Sequence, residues 1–375
     1  MRIVFYYESI DLGGQQTQTY QLMRALAAFG HQVTWIYLSG VALRSKVQEI
    51  GSAFHLDVPL ASRDYIKRPW RIVRILNRLT RALRELEADL VVSGSGLGSI
   101  IAGIASRTNK IYHVRLVGCS LVQVEKTLYR WYSVLQVDRV IDKYLAWPAV
   151  FVELSKKGVH HSKFVELNNA VDTTMFFPLS SEEIEQTRLS LGFTAEDFII
   201  GWVGRLAPNM QVWNTVKLVA LLKQRGLRRV RLLVVGGGVS EDAVRLEIEK
   251  NGLRDECRLL GWVPMEDVNK YINIMDVIPL LEEDPQGGSI MREAMACGRV
   301  ALSVEGVSGT QGRFMKAGCA ILVKPLQFVD DACQEVLFLA QNPQVMRKMG
   351  DQARRYAVSE MSFEKQATTL LNVAR

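Results

Sequence analysis

The chain has few cysteines, and they do not form a paired motif. Their number is odd and none stands in a C-x-x-C pattern, which argues against a disulfide framework or a zinc site. We therefore expect reduced thiols in a cytoplasmic protein. The five cysteines are Cys119, Cys257, Cys297, Cys319 and Cys333.

The sequence also lacks a long apolar segment. No stretch approaches the roughly 18 uninterrupted apolar residues that a membrane-spanning helix needs. The apolar start at residues 1–7 is too short for a signal peptide and leads into a polar loop, so it predicts a first strand. We expect a cytoplasmic location, with a peripheral position at the inner face of the plasma membrane as the alternative.

The remaining composition is that of a globular protein. A length of 375 residues suggests two domains, and the fractions of 48% hydrophobic and 23% charged residues are ordinary for such folds. The net charge of +7 favours acidic partners, such as nucleotides, nucleic acid or anionic lipid. No recognisable nucleic-acid-binding module accompanies that charge, so we expect no nucleic-acid partner.

Strands and helices alternate along both halves of the sequence. The first half opens with strand Ile3–Tyr7, a loop containing Gly13-Gly14, a helix over 17–29 and strand Val33–Leu38, which together form a βαβ unit. The second half repeats the design from strand Phe198–Val203 onward. This alternation predicts α/β domains with doubly wound parallel sheets. Further strands are expected at 90–92, 110–114, 143–146, 164–167, 230–235, 257–260, 277–281, 300–304 and 320–323.

The repeated design also sets the expected domain organisation. We predict an N-terminal domain over 1–175, completed by the C-terminal helix at 360–375, and a C-terminal domain over 176–359. Two Rossmann-like domains of this kind face a central cleft at the carboxyl ends of their strands, where ligands bind. The cleft is the expected active site.

One loop and the helix after it stand out in the second half. The stretch 286–298 reads QGGSIMREAMACG, a glycine-bearing loop that runs into a helix carrying one acid, Glu293. Backbone N–H groups of the loop and the helix start favour an anion such as a diphosphate. Glu293 could then accept hydrogen bonds from hydroxyls. The alternative is an ordinary surface loop with a solvated glutamate.

Four short motifs, in this order and spacing, carry a family likeness. They are Gly13-Gly14-x-x-Thr17, Asn169-Ala170-Val171-Asp172-Thr173-x-x-Phe176-x-Pro178, Gly204-Arg205-Leu206 and Glu293-Ala294-Met295-Ala296-Cys297-Gly298. With them, the chain resembles the retaining glycosyltransferases of the GT-B architecture, of the group 1 or family 4 type, over nearly its full length. The resemblance implies a hexosyltransferase type of enzyme. Such an enzyme moves a sugar from a nucleotide sugar to a glycan or lipid-linked acceptor in cell-envelope, polysaccharide or lipopolysaccharide biosynthesis.

The resemblance also implies roles for individual residues. Arg205 would clamp the departing diphosphate and Glu293 would hold the donor ribose, and both count as catalytic candidates together with Arg115. Arg115 occupies roughly the place of the family's active-site histidine; His113 competes for this role, on the opposite strand face, with a core-edge position as its simpler fate. No D-x-D motif or His/Cys cluster lies near the predicted cleft, so neither metal nor cofactor is required. A UDP-sugar is the first expected donor and a GDP-sugar the second. The donor-binding set is Gly13, Gly14, Arg205, Val263, Gln286, Gly287, Gly288, Ser289, Ile290 and Glu293.

Two positions depart from the family pattern. Pro285 stands where the first acid of the E-x7-E motif belongs, with Glu283 and Asp284 just before it. Met210 stands where a phosphate-binding lysine follows G-R-L, so Arg205, helix ends and loop amides would have to neutralise more charge. A catalytically weak or silent homologue that binds nucleotide sugar or a partner protein is therefore the alternative function.

Two other segments carry interpretations of their own. Arginines and lysines interleave with apolar residues over Arg63–Arg84, which indicates either a helix lying on an anionic membrane or a surface helix with its apolar stripe in the core. Gly94-x-Gly96-x-Gly98 lacks the G-x-G-x-x-G spacing of a dinucleotide site. A dehydrogenase is accordingly a distant third function.

Overall fold

The structure of the chain is a computed structural model. It describes residues 1–11, 14–58, 69–94, 97–117, 137–146, 151, 154–155, 158–167, 169–282, 289–305 and 318–374. These residues form two compact units. The first comprises Met1–Asn169 with Phe363–Arg375, and the second comprises Ala170–Ser362.

The first unit is built on a seven-stranded parallel sheet. Its strands follow the spatial order β3-β2-β1-β4-β5-β6-β7, which reverses direction between β1 and β4. The strands are β1 (Arg2–Tyr6), β2 (Gln32–Tyr37), β3 (Ser52–His55), β4 (Leu90–Ser93), β5 (Tyr112–Val117), β6 (Lys143–Ala146) and β7 (Phe164–Glu166).

Helices accompany this sheet as the alternating pattern predicts. Both faces of a parallel sheet must be covered, so most of its strand residues are apolar and buried. The last helix of the chain packs against the first one, within the first unit. The helices of this unit are α1 (Gly14–Ala28), α2 (Arg44–Ile50), α3 (Pro69–Glu85), α4 (Leu97–Thr108) and the C-terminal α12 (Phe363–Val373).

The second unit repeats the design with a six-stranded parallel sheet. The order β10-β9-β8-β11-β12-β13 reverses between β8 and β11, which pair through Val277 and Ile200. In such sheets ligands bind outside the carboxyl ends of the strands at the point of reversal. The strands are β8 (Phe198–Val203), β9 (Val230–Val235), β10 (Cys257–Leu259), β11 (Val277–Leu280), β12 (Val300–Val304) and β13 (Ala320–Val323).

Seven helices of the described chain cover this second sheet. The first of them starts with a capping box, in which Ser180 and Glu183 satisfy each other's backbone N–H groups. The helices are α5 (Ser181–Ser190), α6 (Trp213–Gln224), α7 (Glu241–Lys250), α8 (Val268–Ile274), α9 (Ser289–Ala296), α10 (Phe328–Gln341) and α11 (Pro343–Glu360). None of the helices in the described part of the chain combines the length and apolar composition that a bilayer-spanning segment requires.

Candidate active site

The loops that leave β8 and β9 are joined by their backbones. Gly204 donates its N–H to the Val235 carbonyl at 2.9 Å, and Leu206 donates to the Gly237 carbonyl at 2.9 Å. Gly236 has a φ of +125°, and a Cβ at this position would lie 1.9 Å from the Gly204 carbonyl oxygen. Only glycine allows the two loops to approach this closely. The glycines after β9 thus form a strand-to-helix turn that supports the G-R-L loop.

Arg205 is the exposed residue of that loop. It follows β8 directly, next to the point of sheet reversal, and Leu206 beside it is fully buried and anchors the backbone. The Arg205 guanidinium makes no hydrogen bond or ion pair with any other described residue. A guanidinium in this state offers its paired N–H donors to an anion that arrives from solvent.

Met210, at the position of the missing lysine, belongs to the apolar packing of the unit. It ends a short 3-10 helix at Pro208–Met210 and packs, partly buried, against the core of the second unit. The next residue, Gln211, has a φ of +46° and accepts a hydrogen bond from Asn214 Nδ2 at 3.2 Å. Asn214 also donates to the Leu281 carbonyl at 2.9 Å. The start of α6 is therefore fixed to the end of β11.

Helix α9 carries Glu293 close to the end of β11. The side chain is partly exposed, yet its carboxylate makes no hydrogen bond or ion pair with another described residue. Desolvation raises the pKa of Glu293 to about 7, because it outweighs the attraction of the neighbouring Arg292. Such a carboxylate gains from any partner that supplies hydrogen-bond donors.

The other donor-binding candidates of the second unit are placed only in part. Ser289 is exposed at the start of α9, where its hydroxyl accepts a hydrogen bond from Arg292 Nη2 at 3.3 Å. Ile290 is buried. Val263 follows β10 and packs, half-buried, against the core. The expected amide donors Gln286, Gly287 and Gly288 lie outside the described residues, as do Glu283, Asp284 and Pro285.

The first unit contains His113 and Arg115 on β5. Lys110 has a φ of +57°, so the strand begins at Tyr112, two residues later than expected, and Arg115 lies within it instead of at its end. Arg115 has no exposed surface, and a catalytic role for Arg115 stays a prediction. The expectation that the two side chains point to opposite faces is wrong, because residues two apart on a strand share a face.

His113 is a satisfied core residue. Its Nδ1 lies 3.1 Å from the Val140 carbonyl and must donate to it, so Nε2 accepts from the Ser93 hydroxyl at 2.8 Å. Burial lowers the pKa of His113 to about 4, which keeps the ring neutral at pH 7. Of the glycines expected to bind donor in this unit, Gly14 is the first residue of α1, and Gly13 lies outside the described residues.

Sequence reasoning missed Trp262, next to Val263. Its side chain is 69% exposed in the loop after β10, close to Gly237. A glycine followed by an aromatic residue directly after a strand was the available signal. No cluster of three or more His, Cys, Asp or Glu side chains that could hold a metal ion occurs among the described residues.

Comparison with known families agrees with this geometry. The family model "Glycosyl transferases group 1" matches residues 183–356, and "Glycosyltransferase Family 4" matches residues 12–145. A curated relative is the 2-deoxystreptamine N-acetyl-D-glucosaminyltransferase of Streptomyces fradiae, 29% identical over 36% of this chain and 33% of its own length. The putative glycosyltransferase EpsD of Bacillus subtilis is 25% identical over 50% of this chain and 48% of its own length. The matches thus span only one third to one half of these relatives.

Solved structures resemble the chain over its whole length. A glycosyltransferase from Rickettsia africae has a TM-score of 0.80 at 16% identity, covering 100% of this chain and 97% of its own. Anabaena HepE in complex with UDP and glucose has a TM-score of 0.74 at 17% identity, covering 99% of each chain. At such identities these structures show the fold. With two family models, two doubly wound parallel sheets and these structural neighbours, the chain belongs to the group 1, or family 4, glycosyltransferases of the GT-B fold.

Proposed function

We propose that the chain transfers a sugar from a nucleotide-sugar donor to a glycan or lipid-linked acceptor, with retention of anomeric configuration. The observation that carries the proposal is the pair Arg205 and Glu293. These two ionisable side chains make no hydrogen bond or ion pair with another described residue, and they follow neighbouring strands β8 and β11, where the sheet order reverses. A nucleoside diphosphate supplies what each lacks, namely phosphate oxygens for Arg205 and ribose hydroxyls for Glu293.

The proposed chemistry breaks the bond between the sugar C1 and the diphosphate oxygen. A bond from C1 to the acceptor hydroxyl oxygen replaces it, and the hydroxyl proton passes to the departing diphosphate. Arg205 offsets the charge that develops on this leaving group. We assign no nucleophile, and we place the donor in the second unit and the acceptor in the first. Arg115, fully buried on β5, is a supporting residue of the acceptor side in this scheme.

A UDP-sugar is the proposed donor. Support comes from HepE, whose structures contain UDP with glucose and UDP-glucose. The proposed setting is cell-envelope, polysaccharide or lipopolysaccharide biosynthesis. A likeness of fold to WaaG, a glycosyltransferase involved in lipopolysaccharide biosynthesis, supports this setting at 19% identity and a TM-score of 0.66.

Met210 favours one second candidate, a nucleotide-sugar-binding homologue with little activity. A partly buried methionine cannot neutralise phosphate as a lysine would. The test is release of UDP from UDP-glucose, UDP-galactose and UDP-N-acetylglucosamine by purified protein, with the same sugars on GDP for comparison. We expect slow donor hydrolysis that Arg205→Ala abolishes. Binding without hydrolysis for every donor would support the silent homologue, and no binding at all would contradict both.

Helix α3 is the proposed contact with an anionic membrane at the inner face of the plasma membrane. Most of its apolar stripe faces inward: Ile75, Leu79 and Leu83 are buried in the core of the first unit. The core-facing interpretation therefore holds for this stripe. Trp70 and Val73, 65% and 56% exposed, remain on the outer face. Residues 63–68 lie outside the described residues.

Three arginines of α3 stand free beside these apolar side chains. Arg74, Arg81 and Arg84 are exposed and make no hydrogen bond or ion pair with another described residue. Arg78 differs, because its Nη1 donates to the Leu56 carbonyl at 2.7 Å and to the Asp57 carbonyl at 2.5 Å. Arg78 therefore supports the fold and should not be changed in a test of membrane binding.

The membrane proposal is tested by co-sedimentation with vesicles of 30% phosphatidylserine at low and high salt. Each free arginine near an anionic surface contributes on the order of 1 kcal/mol, so glutamine at all three positions should weaken binding by roughly 100-fold. A matched control replaces three exposed and equally unpaired cations of the second unit. Equal binding by both triple variants would contradict the role of α3. The control positions are Arg228, Arg347 and Lys348.

A further inference from the structure

Two buried asparagines of α8 hold the chain segment 177–179 within the second unit. Asn269 and Asn273 stand four residues apart in the helix, so their side chains lie on the same face. The Asn273 Oδ1 accepts from the Leu179 N–H at 3.0 Å, and its Nδ2 donates to the Phe177 carbonyl at 2.9 Å. The Asn269 Oδ1 accepts from the Phe177 N–H at 3.1 Å. Two side chains therefore satisfy three backbone groups of this segment.

The Asn269 Oδ1 also joins the segment to the end of α9. Besides the Phe177 N–H, it accepts from Asn273 Nδ2 at 3.1 Å and from the Cys297 thiol, whose Sγ lies 3.1 Å away. Asn269 and Cys297 are 6% and 1% exposed, so these contacts are made away from bulk water. One amide oxygen thus connects the segment, α8 and the residue that follows α9.

Cys297 lies one helical turn after Glu293. Its N–H donates to the Glu293 carbonyl at 3.0 Å, and residues four apart in a helix share a face. Burial raises the pKa of the Cys297 thiol, and the negative charge of Glu293 adds to the rise, as expected for neighbouring side chains. The contact between Asn269 and the thiol therefore acts on the turn of helix that carries the carboxylate.

Glu293 itself would gain from a movement of this turn. Its carboxylate is desolvated and makes no hydrogen bond or ion pair with another described residue, so a shift of α9 toward solvent would favour the ionised form. Such a shift would break the buried hydrogen bond between Cys297 and Asn269. A carboxylate held in this way can accept hydrogen bonds from a ligand without prior rearrangement.

We propose that Asn269 is a positioning residue for the donor site, which fixes α9 through Cys297 and so keeps Glu293 in place for the ribose hydroxyls. The inference rests on the proposed function, since that function gives Glu293 its ligand. Asn269 does not touch the donor in this scheme. It prevents α9 from moving to solvate Glu293 before the donor binds.

The test is the affinity for UDP-glucose, measured by calorimetry at several pH values between 5 and 8.5. If α9 relaxes, water reaches Glu293 and its pKa falls from about 7 toward 4.5. Asn269→Leu and Cys297→Ala should therefore reach full affinity at a pH about one unit lower than wild type. At pH 8 both should bind about 10-fold more weakly, because the carboxylate is misplaced. Cys297→Ser keeps a hydrogen-bond donor and should match wild type.

The variants leave the surrounding charges unchanged. Arg292, Arg299 and Arg354 are the cations that act on Glu293 or on Cys297, and all three remain. Cys297→Ala also keeps the hydrogen bonds between α8 and the segment 177–179, so the test does not depend on how well Asn269→Leu folds. A double variant with both changes should shift no further than either single variant, because both break the same contact.

Val244→Ala is the control for stability alone. Val244 is buried on α7 in the core of the same unit, so the change opens a cavity there and should leave the pH profile as in wild type. An unchanged pH profile in Cys297→Ala would overturn the inference and leave the proposed function standing. The same shift in Val244→Ala would also overturn it, since general loosening would then be the cause. Wild type that binds neither UDP-glucose nor GDP-glucose at any pH would overturn both.

Discussion

Glu293→Gln should make the unliganded protein more stable at alkaline pH. The ordinary pKa of the side chain is 4.5 and the folded protein raises it to about 7. Between these values the unfolded chain loses its proton while the folded chain keeps it, so the contribution of Glu293 to stability falls as pH rises from 4.5 to 7 and stays reduced above. Glutamine is neutral throughout and removes this pH dependence.

The size of the effect follows from the shift. Each pKa unit corresponds to about 1.36 kcal/mol, and partial exposure of Glu293 reduces the effect through solvent screening, which leaves about 1–3 kcal/mol at pH 8. Urea unfolding of both proteins at pH 5 and pH 8 measures it as a difference, so other titrating groups cancel. Glu335→Gln, at an exposed position of α10, is the control and should show no such difference. A difference that does not grow between pH 5 and pH 8 refutes the reasoning on burial.

Donor binding should favour the ionised form of Glu293, whereas the unliganded fold favours the protonated form. Ribose hydroxyls donate hydrogen bonds to the ionised form, so UDP-glucose should bind more tightly as pH rises through 7 and should release a proton on binding near pH 6.5. Glu293→Ala should weaken binding at pH 8 by about 10- to 150-fold, as expected for a lost charged hydrogen bond of about 1.5–3 kcal/mol. UDP-glucose affinity in this variant equal to that of wild type at pH 8 would remove Glu293 from the ribose site.

Three further predictions concern the loops and the core. Arg205→Ala should lower turnover by more than it weakens uridine binding, as measured by steady-state kinetics. Met210→Lys should not raise activity, because Met210 packs against the core and a lysine there would not reach the phosphate; a rise in turnover would contradict this. Gly236→Ala should lower the free energy of unfolding by about 2 kcal/mol or more, because its Cβ would clash with the Gly204 backbone. Gly252→Ala is the control: its φ is also positive, but a Cβ there would have no atom within 4 Å, so it should cost about 1 kcal/mol. Equal urea midpoints for the two variants would mean that the loops move apart and relieve the clash. His113 should contribute a loss of stability as pH falls from 6.5 to 4, because the unfolded chain takes up a proton on this ring that the folded chain does not. The difference between wild type and His113→Asn in the same titration isolates this contribution, since the opposite contribution of Glu293 is common to both proteins.

The parallel sheets could be read from the sequence because their strands are short apolar runs between turn residues. Strand β9, Val230–Val235, with its glycine turn is the clearest case. Strand β3 was missed because Ser52–His55 is short and mostly exposed at a sheet edge, where burial does not select an apolar run. The start of β5 was misplaced because Lys110 adopts a left-handed backbone conformation, which is not expected for a lysine from sequence alone.

The sequence predicted those site residues whose side chain suits the ligand and which follow a recognisable strand. Arg205 and Glu293 each follow a recognisable strand, so the sheet order brings them to one edge. The raised pKa of Glu293 comes from its desolvation in the folded chain, and the position of Trp262 depends on the missing side chain of Gly237. Both features depend on the folded surroundings of the residue, so motif spacing in the sequence does not predict them.

The Asn169–Pro178 motif has a structural explanation that sequence resemblance does not supply. Asp172 Oδ1 accepts hydrogen bonds from Thr174 and from the Met175 N–H, which folds the segment into a turn. Arg354 Nη1 then donates both to the Phe176 carbonyl, at 2.9 Å, and to the Ala296 carbonyl at the end of α9, at 2.8 Å. One guanidinium therefore fixes the motif and the C-terminus of the helix that carries Glu293. A cation at that end also complements the helix dipole, so the motif helps to set the position of the carboxylate from inside the second unit.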